Sequence, residues 1–197
     1  MRSHKKLTTT AAALMVSAFI GGNAWAAKYG SPISEADIAA WDIDISTSTG
    51  EGLPEGKGTV AEGAKIFAEK CVACHGEKAG GGEMYGSMVG GIGSMTKPKR
   101  KLTPGSMYPY APILFDYVRR TMPMESPQSL TNNEVYALAA YIYNLNGLVP
   151  DNATVNADTL RKMKMPNRDG FMTDDRPDVT STRCMTNCPE LEPILKK

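Results

Sequence analysis

The stretch Cys-Val-Ala-Cys-His-Gly at residues 71–76 constrains this chain more than any other feature. Two cysteines three positions apart, followed at once by a histidine, suit three kinds of site: a redox-active dithiol, a zinc site or an attachment site for haem. The chain has two histidines, His4 and His75. Because His4 lies in a segment that resembles a cleaved leader, we expect His75 to be the single histidine of the mature protein.

The N-terminal segment has the features of a secretory signal peptide. Arg2, Lys5 and Lys6 precede a largely apolar stretch, and Ala24-Trp25-Ala26 supplies a small-residue cleavage motif. We expect residues 1–26 to be removed on export to the periplasm; an uncleaved N-terminal anchor is the alternative. No later segment is apolar for long enough to cross a bilayer, so no membrane span is predicted in the mature chain.

The charge balance argues against a nucleic-acid partner. The chain has 22 Lys/Arg and 21 Asp/Glu; residues 1–26 contain three of the former and none of the latter, which leaves a formal net charge of −2 after cleavage. A basic stripe with interleaved aromatic residues, as nucleic-acid binding requires, is not found. The local basic run at 97–101 is interpreted as a solvated loop, with a docking patch as the alternative.

The surroundings of the motif distinguish the three kinds of site. A redox dithiol sits at a helix N-terminus, whereas Cys71 follows a helical pattern and so lies at a C-terminus, where the dipole raises a thiol pKa. A zinc site with Cys184 and Cys188 would span a gap of 110 residues and leave His75 without a role. Haem attachment uses every group: Cys71 and Cys74 form thioethers, and His75 coordinates the iron. One motif predicts one covalently attached haem c.

The rest of the chain predicts an all-α fold, a small helical domain that wraps the haem. Hydrophobic periodicity indicates helices over about 60–70, 111–120 and 131–146, the last begun by a capping box from Thr131 to Glu134. Gly63 should allow two helices to cross closely, with Tyr141 covering the crossing. The expected apolar faces are Val60, Ala64, Phe67 and Ala68; Ile113, Leu114, Tyr117 and Val118; and Val135, Leu138, Ala139, Ile142 and Leu145.

We expect four segments: the signal peptide 1–26, an N-terminal arm 27–58 with a short helix from Ser34 to Trp41, a haem domain 59–147, and an irregular C-terminal tail 148–197. Trp41 and Phe171 are expected to pack back onto the domain and to contribute to a partner surface. Cys184 and Cys188 lie close together in an exported chain, which predicts a disulfide; two free thiols are the alternative.

Several stretches resemble a known family. Gly63, Phe67, the Cys-Val-Ala-Cys-His segment, a later Met-Pro pair and "LTNNEVYALAAYI" resemble class I cytochromes c. The stretches 41–45, 52–67, 110–147 and 165–171 further resemble cytochrome subunits that partner molybdenum-containing sulfane or sulfite dehydrogenases. The resemblance covers roughly residues 30–172 and is weaker over 83–107.

The resemblance implies an electron-transfer subunit and no catalytic residues of its own. Such a protein accepts single electrons from a molybdoprotein dehydrogenase and passes them to a downstream cytochrome or oxidase. Two alternatives remain: a general-purpose carrier for another periplasmic dehydrogenase, and a cytochrome that itself oxidises a sulfur compound.

No second histidine remains, so bis-histidine ligation within one subunit is excluded and a methionine is the expected second ligand; a lysine is the alternative and would need a buried, deprotonated amine. A loop between the second and last helices, about 121–130, must return to the far face of the haem, and it contains Met122 and Met124. Pro123 holds Met122 extended and out of the helix. The resemblance places the ligand in the Met-Pro pair, which implies Met122 and leaves Met124 for haem packing.

Overall fold

The computed structural model describes residues 30–174, in a chain that divides into two compact units between Ile43 and Asp44. The first unit contributes helix α1 (Glu35–Trp41). Ser34 caps this helix, and its side chain and that of Asp37 form a reciprocal capping box, which confirms the predicted start. Trp41 is 83% exposed, and the expectation that it packs onto the haem domain stays a prediction.

The second unit contains six helices, one 3₁₀ turn and two short strands within its described part, Asp44 to Asp174. In chain order they are β1 (Lys57–Thr59), α2 (Val60–Lys70), α3 (Val72–His75), the 3₁₀ turn Glu77–Ala79, α4 (Pro104–Met107), α5 (Pro112–Thr121), α6 (Asn132–Leu145), β2 (Thr154–Asn156) and α7 (Ala157–Lys162).

Two of the longer helices begin where local sequence chemistry requires. Thr59 and Glu62 form a capping box at the start of α2, and Thr131 and Glu134 form one at the start of α6. An ion pair joins the two helices: Lys70 Nζ, in the last turn of α2, lies 2.6 Å from the carboxylate of Glu134 in the first turn of α6. The helices predicted over 60–70 and 131–146 are therefore confirmed.

Helix α6 is the centre of the core. It is buried on nearly every side, not along one stripe, because it packs against α2, α5 and both strands. Its two buried tyrosines satisfy their hydroxyls: Tyr136 donates to the Pro54 carbonyl and Tyr143 to the Ala111 carbonyl, each over 2.7 Å. Burial of such a side chain contributes about 1.5–3 kcal/mol to folding.

The helices α2 and α6 cross in direct backbone contact at Gly63. A Cβ atom at this position would overlap the carbonyl oxygen of Ala137 and lie 2.8 Å from Tyr141 Cβ. The Phe67 and Tyr141 rings pack beside the crossing, with centroids 5.4 Å apart. The predicted role of Gly63 and Tyr141 is confirmed.

This crossing predicts a large effect for Gly63→Ala. Alanine favours a helix over glycine by about 1 kcal/mol, but the overlap with a backbone carbonyl forces the two helices apart. We expect the free energy of unfolding, measured by denaturant titration of the haem-loaded protein, to fall by at least about 2 kcal/mol. The control is Ala68→Val on the exposed face of α2, which should cost only about 0.5 kcal/mol. A Gly63→Ala protein as stable as the parent would contradict this packing.

The apolar face of α5 is wider than the predicted one. Leu114 and Val118 are buried as expected and Tyr117 lines the same cavity as they do, while Phe115 is fully buried as well. The Phe115 ring packs on Tyr136 with centroids 4.3 Å apart, which draws that side of the helix inward. In α2, the predicted face residue Ala68 is exposed, and the buried residues are Val60, Gly63 and Phe67. In both helices the neighbouring helix selects the buried face.

The all-α prediction is incomplete, because the helical domain includes a small antiparallel sheet. Strand β1 pairs with β2, with Gly58 opposite Val155. Gly58 lies against the backbone of Ala137, so the sheet rests directly on α6. The correction is confined to these two three-residue strands.

The prediction of an irregular tail is wrong for part of 148–174. Residues 154–162 form β2 and α7, and Val155, Leu160 and Met165 are buried. The α7 residue Arg161 also donates to the Gly50 carbonyl from two guanidinium nitrogens. This segment packs back as expected, but Phe171 does not, since it is 63% exposed.

The signal peptide 1–26 and the predicted Cys184–Cys188 disulfide lie outside the described residues. Among the residues that the structure describes, no helix has the length and apolar character to cross a membrane.

Candidate haem site

The motif cysteines and histidine lie on a tight turn at the end of α2. Cys71 ends α2 and begins α3, and its carbonyl oxygen accepts hydrogen bonds from the backbone N–H groups of Cys74 (3.2 Å) and His75 (3.0 Å). Gly76 then turns the chain with φ of +71°, and a Cβ there would overlap the Gly81 carbonyl oxygen. The turn therefore places both thiols and the imidazole within five residues of the chain.

These side chains line a cavity of about 430 Å³. Its walls are mostly apolar and come from α2, α5 and α6 and from the loops between them. The main apolar lining residues are Phe67, Leu114, Val118, Leu130, Leu138 and Ile142. The volume falls within the range of about 300–1,000 Å³ that is usual for cofactor pockets.

Met122 and Met124 line the same cavity from the loop after α5. Met122 is the residue directly after α5, in extended conformation (φ −117°, ψ 145°), as the following Pro123 predicts. It is half-buried, whereas Met124 is 52% exposed and its sulfur accepts a hydrogen bond of 3.3 Å from the Tyr85 hydroxyl. The structure thus brings Cys71, Cys74, His75 and Met122 to one cavity, with Met124 engaged by another residue.

Burial sets the protonation states of the motif. It lowers the pKa of His75, so the imidazole is neutral near pH 7 and can offer a nitrogen lone pair to a metal. It also raises the pKa of the Cys71 thiol to about 11, opposite to the lowered value of a reactive redox thiol. The chemistry of a thioredoxin-type dithiol is therefore disfavoured here.

The site fits a covalently held haem. The His75 Nδ1 atom is buried and has no hydrogen-bond partner among residues 30–174, and such an orphaned polar atom is expected where a bound group completes the site. Two thiols, an imidazole and a thioether are the donors that attach and ligate haem c, and here they face one largely apolar cavity.

Several lining residues escaped the sequence analysis. Tyr85 packs against His75 with ring centroids 5.4 Å apart, and Leu102, Pro104 and Leu130 complete the walls. They lie in loops, or directly after one, without hydrophobic periodicity, so no local pattern could identify them. Asn146, just after α6, holds the loop around residues 88–90. Its side-chain amide donates to the Met88 carbonyl and accepts from the Gly90 N–H.

Two comparisons with known proteins agree with this geometry. Residues 58–142 match the family described as cytochrome c oxidase, cbb3-type, subunit III. A chain in the crystal structure of the sulfane dehydrogenase SoxCD from Paracoccus pantotrophus is 35% identical to this one and superimposes with a TM-score of 0.70. That match covers 87% of this chain and 86% of the other. The chain therefore belongs to the class I c-type cytochromes and resembles the cytochrome of sulfane dehydrogenase.

Proposed function

We propose that this protein is a periplasmic electron-transfer subunit with one covalently attached haem c, which accepts single electrons from a molybdenum-containing sulfane or sulfite dehydrogenase. The observation that carries the proposal is the single cavity lined by Cys71, Cys74, His75 and Met122. The similarity to a chain of sulfane dehydrogenase supports the class of donor. A downstream cytochrome or oxidase would receive the electrons.

Each of the four residues has a separate task in this proposal. Cys71 and Cys74 anchor the cofactor through thioether bonds, which prevents its loss outside the cell. His75 and Met122 would be the two protein ligands of the iron, which would leave no coordination position for a sulfur substrate. The bound haem supplies a reversible one-electron couple.

The walls of the cavity tune that couple. Side chains such as Leu114, Leu138 and Ile142 exclude water and lower the local dielectric constant. A less polar environment disfavours the additional charge of the oxidised iron, and a thioether ligand raises the reduction potential further. A relatively high potential suits an acceptor downstream of a dehydrogenase.

Export belongs to the same proposal. We propose that residues 1–26 direct the chain to the periplasm and are removed there, and that residues 59–147 hold the haem between an N-terminal arm and a C-terminal tail.

Reduction of the haem by a partner enzyme tests the function. With a stoichiometric amount of the molybdenum dehydrogenase subunit and sulfite or a sulfane substrate, stopped-flow absorbance should show complete reduction within seconds, as expected for a physiological pair. The same substrate without the dehydrogenase should leave the haem oxidised. Reduction by the substrate alone would show instead a cytochrome that oxidises sulfur compounds itself, and the absence of reduction in both mixtures would reject this donor.

A further inference from the structure

The stretch Met-Pro-Asn-Arg-Asp-Gly-Phe at residues 165–171 has a defined place in the fold that the proposed function does not use. It follows α7, the last helix among the described residues. Met165 is only 1% exposed and belongs to the hydrophobic core. The N–H of Arg168 donates to the Met165 carbonyl at 3.1 Å, which closes a turn. The stretch is therefore anchored at its first residue and bent back directly after it.

Three contacts join this stretch and the residue before it to the end of α4 and the chain that follows. Lys164 forms an isolated antiparallel bridge with Tyr110. The Asn167 side-chain amide donates to the Met107 carbonyl at 2.8 Å. The guanidinium carbon of Arg168 lies 4.0 Å from the centroid of the Tyr110 ring, a cation–π distance. These contacts hold both ends of a four-residue segment.

The hydrogen bond from Asn167 satisfies a group that α4 itself leaves open. Met107 is the last residue of this four-residue helix, and a carbonyl at a helix C-terminus has no partner within the helix. The Asn167 amide is held in turn by its own surroundings. A Cβ atom at position 170 would overlap the Asn167 side-chain oxygen, so glycine there leaves room for the amide. The spacing of Asn167 and Gly170 thus serves this one bond.

Tyr108 lies between the contacts and lines the haem cavity. It follows α4 in extended conformation (φ −66°, ψ 127°), and its side chain packs against the hydrophobic core. The capping box of Thr103 and Ser106 fixes only the beginning of α4. Because the chain between α4 and α5 has no helix or strand of its own, contacts from elsewhere must determine where Tyr108 stands.

We propose that Asn167 is a positioning residue for the haem site: through the Met107 carbonyl it holds Tyr108 in the cavity wall. Residues 164–168 then form a clasp that limits the access of water to the cavity. A drier cavity disfavours the additional charge of oxidised iron, so the clasp raises the reduction potential. The inference rests on the proposed haem, but it does not depend on which enzyme donates the electrons.

A redox titration of the haem-loaded Asn167→Leu protein tests the role of the amide. Leucine removes the hydrogen-bond donor at nearly the same size and without a change in charge. The equilibrium constant for reduction by a mediator of known potential should fall about threefold. The control is Asn144→Leu, because the Asn144 amide also donates to a backbone carbonyl, that of Val149 at 3.0 Å, but does not line the cavity. The control should keep the parent equilibrium; equal shifts in both variants would overturn the proposal.

A double-mutant cycle tests whether Asn167 acts through Tyr108. Tyr108→Leu removes the ring from the wall and should lower the equilibrium constant for reduction by itself. Adding Asn167→Leu to Tyr108→Leu should then change this constant no further, because the two residues form one connected unit. Independent effects that multiply in the double variant would show that Asn167 acts elsewhere, and they would overturn the proposal.

Hydrogen exchange provides a readout that does not depend on electron transfer. In Asn167→Leu, the backbone N–H groups of Met107 and Tyr110 should exchange about tenfold faster relative to those of α6, whereas Asn144→Leu should leave this ratio unchanged. Unchanged exchange in Asn167→Leu would overturn the clasp. A parent protein that binds no haem would reject the proposed function, whereas a haem-loaded Asn167→Leu protein with the parent potential would reject the clasp alone.

Discussion

Replacing both Cys71 and Cys74 with serine should abolish covalent attachment of haem completely. The two thiols lie on one turn and line the cavity, and each thioether bond requires the sulfur of its own cysteine. A haem stain after denaturing electrophoresis should be strong for the parent and absent for the double variant. Each single replacement should leave one thioether, and the remaining vinyl group should move the pyridine haemochrome band to longer wavelength.

The chain offers a matched control in its other two cysteines. Cys184→Ser with Cys188→Ser removes the same number of cysteines and should leave the haem stain unchanged. Haem that acidified organic solvent extracts from the parent protein would refute covalent attachment, and a stain that persists in the Cys71/Cys74 variant would place the anchor elsewhere.

Replacing Met122 with alanine should lower the reduction potential by a substantial part of the range of about 0.8 V that axial ligands span in haem proteins. A thioether ligand stabilises the reduced iron, and loss of this ligand removes that preference. The weak absorption band of methionine-ligated oxidised haem, at the red end of the spectrum, should disappear as well. Redox titration and absorption spectroscopy of the purified haem-loaded variant measure both effects.

Met124→Ala is the control two residues away. Met124 lines the same cavity, but it is more exposed and its sulfur already accepts the Tyr85 hydroxyl. Its replacement should keep the band and change the potential only slightly. The ligand assignment is wrong if Met122→Ala retains the band and Met124→Ala loses it.

The helix boundaries and the candidate attachment residues could be predicted because their causes are local. A capping box needs two side chains three positions apart, as at Thr59 and Glu62 and again at Thr131 and Glu134. The Cys71–His75 motif is likewise complete within five residues. Gly63 was recognisable because a glycine in the middle of a helix costs stability unless a close neighbour requires it.

The buried faces could not be predicted with the same accuracy, because a helix alone does not determine which neighbours cover it. The periodicity of α5 did not show that Phe115 would be fully buried, because its contact with Tyr136 comes from a different helix. Helix α6 is buried on nearly all sides for the same reason, and a single apolar stripe therefore underestimated its burial.

By itself, the sequence determined the main helices and the residues of the candidate attachment motif, because each depends on residues within one or two helical turns. It also marked Gly63 as a point of close approach, although the helix that crosses there comes from a distant part of the chain. Only the tertiary structure decided the pairing of 57–59 with 154–156, whose partners are almost a hundred residues apart and carry no mutual signal. It also decided which loop residues line the cavity. These features depend on long-range packing around α6, which no local pattern encodes.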